Sequence, residues 1–168
     1  ATTIDAFAKA VVFAVSDTAT AIAASSNDAL DEATTVTAST TATTAQAATI
    51  AAFSQAVVYN VSGTAAEIAA ASAGARNEAV NITITGDATI AQATTAEDAS
   101  NSGTVTVGTI SDTATLIAAS TNAVIANSAG AVTASTTATT AQAATIAAFG
   151  QAVVYNVSGT AAEIAAAS

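Results

Sequence analysis

Val57-Val58-Tyr59-Asn60-Val61-Ser62-Gly63-Thr64 is the stretch on which the reading of the fold turns. Val57, Tyr59 and Val61 alternate with Asn60 and Ser62, and period two places the apolar set on one face of a β-strand with polar residues opposite. The same eight residues return at Val153-Val154-Tyr155-Asn156-Val157-Ser158-Gly159-Thr160, and a relative stands at Val11-Val12-Phe13-Ala14-Val15-Ser16-Asp17-Thr18. Outward from this stretch the match grows to Val36 through Ser72, repeated as Val132 through Ser168 over 37 positions with one difference, Ser54 against Gly150. Such identity marks a recent duplication. Ala1 to Ala10 also matches Ala47 to Ala56.

A shorter period lies beneath. The hydroxyl residues Ser16, Ser39, Ser62, Thr85, Ser111, Ser135 and Ser158 share one phase, at spacings of 23, 23, 23, 26, 24 and 23. An alternating run precedes each, such as Val80, Ile82, Ile84. After them come alanine-rich stretches with helical spacing, Ile22, Ser26, Ala29, Leu30, Ala33 in one and Ala45, Thr49, Ala52, Phe53, Ala56 in the next. Ser16-Asp17-Thr18 and Ser111-Asp112-Thr113 supply N-cap chemistry between strand and helix. A strand of about five residues and a helix of about eleven each span roughly 16 Å, so the chain returns to where it began.

These lengths predict an α/β fold: a right-handed solenoid of about seven 23-residue strand-helix modules, with one parallel sheet and the helices on one side. Val15, Val61, Ile84 and Val157 are expected in one column of that sheet. The single repeat domain divides at about 11–33, 34–56, 57–79, 80–103, 104–129, 130–152 and a partial 153–168, with a partial 1–10 ahead of them. One module holds too few large apolar side chains to offset roughly 1.5 kcal/mol of ordering entropy per residue, so stability must come from stacking. Asn101 to Gly103, where the spacing widens, is expected as a loop. Gly63, Gly86 and Gly159 are expected in turns. Arg76 occupies the phase of Leu30, Phe53, Ile125 and Phe149, and should pair with Glu97 or Asp98 or reach outward at the helix end.

Composition narrows function. The chain has no Cys, His, Pro, Met or Trp, which removes Ser-His and Cys-His nucleophiles and the ordinary zinc, haem and disulfide chemistries. Two cations, Lys9 and Arg76, stand against twelve carboxylates, a net charge of -10. Nucleic acid is therefore an unsuitable partner, because its affinity comes mainly from Lys and Arg on phosphates. Of the 52% hydrophobic residues most are alanine. No run approaches the roughly 20 apolar residues that a membrane-spanning helix requires. No cofactor is expected.

Ser16 to Ala24, Val36 to Thr43 and Ala45 to Ile50 resemble the tandem Ala/Thr-rich repeats of large secreted bacterial surface proteins, cyanobacterial ones especially, over nearly the whole chain. The resemblance implies an extracellular, cell-surface structural or adhesive role. The calcium-binding nonapeptides that some of those proteins carry have no counterpart in this sequence.

Asp28-Asp31-Glu32 and Glu97-Asp98 are the acidic clusters, on helix phases expected to face water and not reproduced in other modules, so no enzymatic activity is expected. Asp17, Asp87 and Asp112 stand at strand-to-helix junctions, as caps or as oxygens for calcium. The outward strand face is the candidate binding or assembly surface: Thr37, Ser39, Asn60, Ser62, Thr83, Thr85, Thr109, Ser111, Thr133, Ser135, Asn156 and Ser158, with Ala14 and Ser16 in the same phase. Such a ladder suits self-association, a glycan or, through ordered water, ice. Asn60, Asn81 and Asn156 also begin N-x-[ST] acceptor patterns. The expected function is an extracellular structural repeat forming part of a filament, sheath or surface layer through lateral and end-on contacts; the alternative is the stalk of a large secreted adhesin. Ala1 and Ser168 are not in consecutive phase, so copies should not abut seamlessly, and further chain or other subunits should cover the ends.

Overall fold

The computed structural model describes residues 12–166; Lys9, Val11, Ser168 and the partial module 1–10 lie outside them. The protein is α/β, with parallel strands and short helices in alternation. Its modules contain, in order, β1 (Phe13–Asp17), α1 (Ala19–Ala23) and α2 (Asn27–Leu30); β2 (Ala33–Ala38) and α3 (Thr44–Ile50); β3 (Val57–Val58), β4 (Val61–Thr64), α4 (Ala65–Ala70) and α5 (Ala73–Asn77). Then follow β5 (Ile82–Ala88) and α6 (Ile90–Glu97); β6 (Val105–Asp112), α7 (Ala114–Ala119) and α8 (Asn122–Ala126); β7 (Val132–Ala134), β8 (Ala138–Thr139) and α9 (Thr140–Ala147); and β9 (Val153–Val154), β10 (Val157–Ser158) and α10 (Ala161–Ala166). Two compact units divide these residues: 12–63 with Ala70–Ile82 and Ala99–Thr104, and Thr64–Ala69 with Thr83–Asp98 and 105–166. In the first, β1, β2 and β3 pair in parallel; in the second, β6, β7 and β9 do so, as do β8 and β10.

Two kinds of module alternate. Even modules make one helix opened by a capping box: Thr43, Thr89 and Thr139 each accept the amide of a glutamine three residues on, while the side chains of Gln46, Gln92 and Gln142 accept the threonine amides. Among the odd modules, three make two short helices. At Ser26, Ser72 and Thr121 the backbone leaves the helical region, with ψ near 155°, and a second helix starts. The expected eleven-residue helix is therefore replaced by helices of four to eight residues. The break is local: Ser72 and Thr121 cap the new helix by accepting the amides of Ala75 and Val124, while Ser26 takes the same extended backbone without a side-chain cap.

Burial follows distance from the cap. Four residues after the N-terminal hydroxyl stand Ile22, Ile68 and Ile117 in odd modules, and Ala47, Ala93 and Ala143 in even ones, all buried. Where both partners are in one unit, α1 packs on α3 and α7 on α9, so isoleucine meets alanine. Even modules compensate seven residues after the cap with Ile50 and Ile146. The stripe expected through Ala45, Thr49, Ala52 and Ala56 is exposed, and Phe53 is half-buried. Alanine is equally acceptable inside and outside, so spacing alone could not choose the face.

Register also departs from expectation. Val15 faces Val36, and Val36 faces Val57, while Val61 bridges to Ala42 and Val157 pairs with Ala138. Val15, Val61 and Val157 therefore do not share one column, and the strands divide among separate sheets. Ser39-Thr40-Thr41 and Ser135-Thr136-Thr137 cause the shift, each bulging from its even-module strand. The central hydroxyl of each bulge serves the helix of the preceding module. Thr40 accepts the first helical amide of α1, from Ala19 at 3.0 Å, and Thr136 that of α7, from Ala114 at 3.0 Å. Asp112 does the same for Ile90 of α6. Helix starts are thus satisfied across modules.

Several smaller expectations resolve. Asn101 to Gly103 is a loop between α6 and β6. Gly63 lies within β4, and only Gly86 among the described residues has positive φ, at 78°. Thr18 and Thr113 are the caps of α1 and α7, with Asp17 and Asp112 accepting the cap amides. Arg76 Nη1 donates to the carbonyl of Ala71, five residues earlier, and Glu97 accepts from Asn127 Nδ2.

Candidate functional site

The outward face is built from alternation. Tyr59, Val61, Ile82, Ile84, Val107 and Ile110 are buried, so their strand neighbours turn away from the core. Ser39, Asn60, Thr85, Ser111, Ser135, Asn156 and Ser158 are exposed, and Thr37, Ser62, Thr83, Thr109 and Thr133 half-buried. They do not form the columns that equal spacing implies. Ser16 stands beside Thr37 and Thr37 beside Val58; in the duplicate, Ser111 stands beside Thr133 and Thr133 beside Val154. Each row thus runs from two hydroxyls to a valine.

Those valines were missed as face residues. Val58 is 51% exposed and Val154 64%, and Val12, at the same repeat position, 81%. The signal was present in the doublets Val57-Val58 and Val153-Val154, since two successive strand residues cannot both face the core. No family model matches the chain, nor does any curated protein or solved structure. What the face can do must be argued from its chemistry.

Amide side chains tie module to module. Asn60 Oδ1 accepts from the amide and Nδ2 of Asn81 at 3.1 and 2.9 Å, and Asn81 Oδ1 accepts from the amide and hydroxyl of Thr104 at 2.9 and 3.0 Å. This ladder engages two of the three asparagines of the acceptor patterns. Gln55 and Asn101 donate to the carbonyls of Ala33 and Val80, 22 and 21 residues earlier. Asn27 accepts the amide of Ser54, and Asn122 that of Gly150. The lone difference between the duplicates lies at this joint: Ser54 Oγ donates to Asp31 at 2.7 Å, whereas Ala126 fills the equivalent position in the copy where glycine replaces the serine.

The carboxylates are similarly engaged. Asp87 accepts from the Thr109 hydroxyl, and Asp112 from the amides of Thr113 and Ile90 at 2.8 and 3.0 Å. Glu67 and Glu163 accept from the amide and hydroxyl of Thr64 and Thr160, which holds both carboxyls below the usual range. Among the described residues no three acidic side chains converge as a metal site would require, and no helix is long and apolar enough to cross a membrane.

Among the described residues Tyr59 is the most strongly perturbed group. Burial, with the Glu78 carboxylate adding to it, pushes its phenol up to about 12, and the hydroxyl donates to the Ala75 carbonyl at 3.1 Å. An unfolded phenol ionises near 10.0. The folded protein thus retains a proton that the unfolded chain loses, so stability is full below that pH and falls as pH rises toward 12. Urea midpoints measured across this window should drop for the parent and flatten for Tyr59→Phe; parallel curves would show that another group governs the alkaline loss.

Proposed function

We propose that the chain is an extracellular structural repeat protein: a right-handed solenoid of strand-helix modules whose outward strand face joins copies side by side in a filament, sheath or surface layer. The observation that carries the reading is the recurring exposed valine at Val12, Val58 and Val154, of which Val58 and Val154 stand beside Thr37 and Thr133 on the neighbouring strands. A repeated apolar position among polar neighbours gains by being covered, and a periodic surface is covered best by another of the same period. The inter-module caps and amide ladders support a rigid, load-carrying element. The reading assigns no reaction and no cofactor. With a net charge of -10, lateral contact between copies should strengthen as salt screens their repulsion.

The test is a double substitution, Val58→Lys with Val154→Lys, compared with the parent by electron microscopy and sedimentation across salt concentrations. Loss of laterally packed copies with an unchanged circular dichroism spectrum is the expected result. Undiminished packing would overturn the outward face as the contact, and isolated parent molecules at every salt concentration would favour the adhesin stalk.

A further inference from the structure

The helix starts that are satisfied from the following module differ in one chemical respect. The first helical amides of α1 and α7 are accepted by the hydroxyls of Thr40 and Thr136, which do not titrate. That of α6 is accepted by a carboxylate: Asp112 Oδ2 takes the amide of Ile90, 22 residues earlier, at 3.0 Å. The second oxygen, Oδ1, takes the amide of the adjacent Thr113 at 2.8 Å. One side chain, itself half-buried, thus holds both the buried Ile90 at the start of α6 and the cap residue of α7. All of these groups lie within the second compact unit.

We propose that Asp112 is a pH-sensitive latch: ionised, it closes the joint between modules 80–103 and 104–129; protonated, it releases the start of α6, while the hydroxyl-held starts of α1 and α7 stay closed. An ionised carboxylate offers two acceptor oxygens, whereas a protonated one keeps one good acceptor and turns the other into a donor. Two amides cannot both be served by it. The Thr113 bond closes between adjacent residues, but the Ile90 bond needs two modules held in register, so the cross-module bond is the one lost. The joint is therefore tight at neutral pH and loosens as pH falls. The elements packed around the latch carry few charges. No charge stands on α7, α8 or β7; β5 contributes Asp87, which accepts from Thr109, and α6 ends in Glu97, which accepts from Asn127, followed by Asp98. None of these elements brings a cation, so the two amides are the partners that feel the loss of the carboxylate charge. The latch goes beyond the proposed lateral contact and does not depend on it.

Amide proton NMR spectra of the intact protein, recorded from about pH 7 to about pH 2, cross the ordinary carboxylate range. The Ile90 and Thr113 amides should shift along one titration curve. Protection of Ile90 against exchange, corrected for the intrinsic effect of pH, should fall about tenfold, the loss expected for a hydrogen bond to a charged group, with Ala19 and Ala114 unchanged. Asp112→Asn presents one acceptor and one donor at every pH; it should show the low Ile90 protection already at neutral pH, while Asp87→Asn should leave the Ile90 curve in place. Equal loss at Ala114, full protection of Ile90 at both extremes, or an Ile90 titration that follows Asp87 would overturn the latch. Should Asp112→Asn fail to fold, the contrast between Ile90 and Ala114 in the parent decides the matter alone.

Discussion

Ile68→Ala should lower the unfolding free energy by about 2 to 5 kcal/mol, and Ile164→Ala by about 1 kcal/mol or less. Both isoleucines lie in the same run, Ala65-Ala66-Glu67-Ile68-Ala69-Ala70 and Ala161-Ala162-Glu163-Ile164-Ala165-Ala166, and both follow a threonine whose partner is the glutamate of the first turn. Helix propensity, capping and unfolded-state effects therefore cancel between the two substitutions. Burial is what differs, 0% against 44% exposed. Removing three carbons at Ile68 leaves a cavity in the interior, whereas at Ile164 solvent occupies the space. Denaturant unfolding of the two single variants measures the contrast directly; equal costs would mean that Ile164 is covered in solution.

Gly108→Ala should be the more damaging of two glycine substitutions in neighbouring modules, at about 3 kcal/mol. A methyl group on Gly108 would stand 2.6 Å from the carbonyl oxygen of Gly86 and 2.8 Å from its nitrogen. Backbone cannot rotate away as a side chain can, so the parallel strands themselves would have to separate. The next module repeats the constraint, because a methyl on Gly130 would lie 2.6 Å from the Gly108 carbonyl oxygen. Gly86 itself has open space around the missing methyl but a φ of 78°, and Gly86→Ala should cost about 1 to 2 kcal/mol through backbone strain alone. Thermal melts of the two variants separate the causes. If Gly108→Ala proved as mild as Gly86→Ala, the modules would be further apart than their backbone distances state.

Glycine shows where sequence reading stops. Nothing in Val107-Gly108-Thr109 says that its backbone approaches Gly86, because close approach depends on the register of two strands 22 residues apart. The same limit applied to the hydroxyl face. Spacing of 23 suggested that Ser16, Ser39 and Ser62 align, yet Ser16 stands beside Thr37, and Ser39 to Thr41 leaves the strand with Thr40 over the start of α1. A repeat counts residues; a sheet matches those whose side chains face the core. Caps at Thr18 and Thr113 were legible because capping is decided within four residues. Val58 and Val154 were legible in principle, from strand alternation alone.

The α/β class, the parallel strands alternating with helices and the alternation of inward strand residues followed from the amino-acid sequence, because alternation, capping and chain reach are local or nearly local. Which alanines are buried and where each hydroxyl falls along the face were decided by tertiary structure. Alanine carries too little apolar surface to choose a side for itself, and identical residues acquire different environments only through what packs against them.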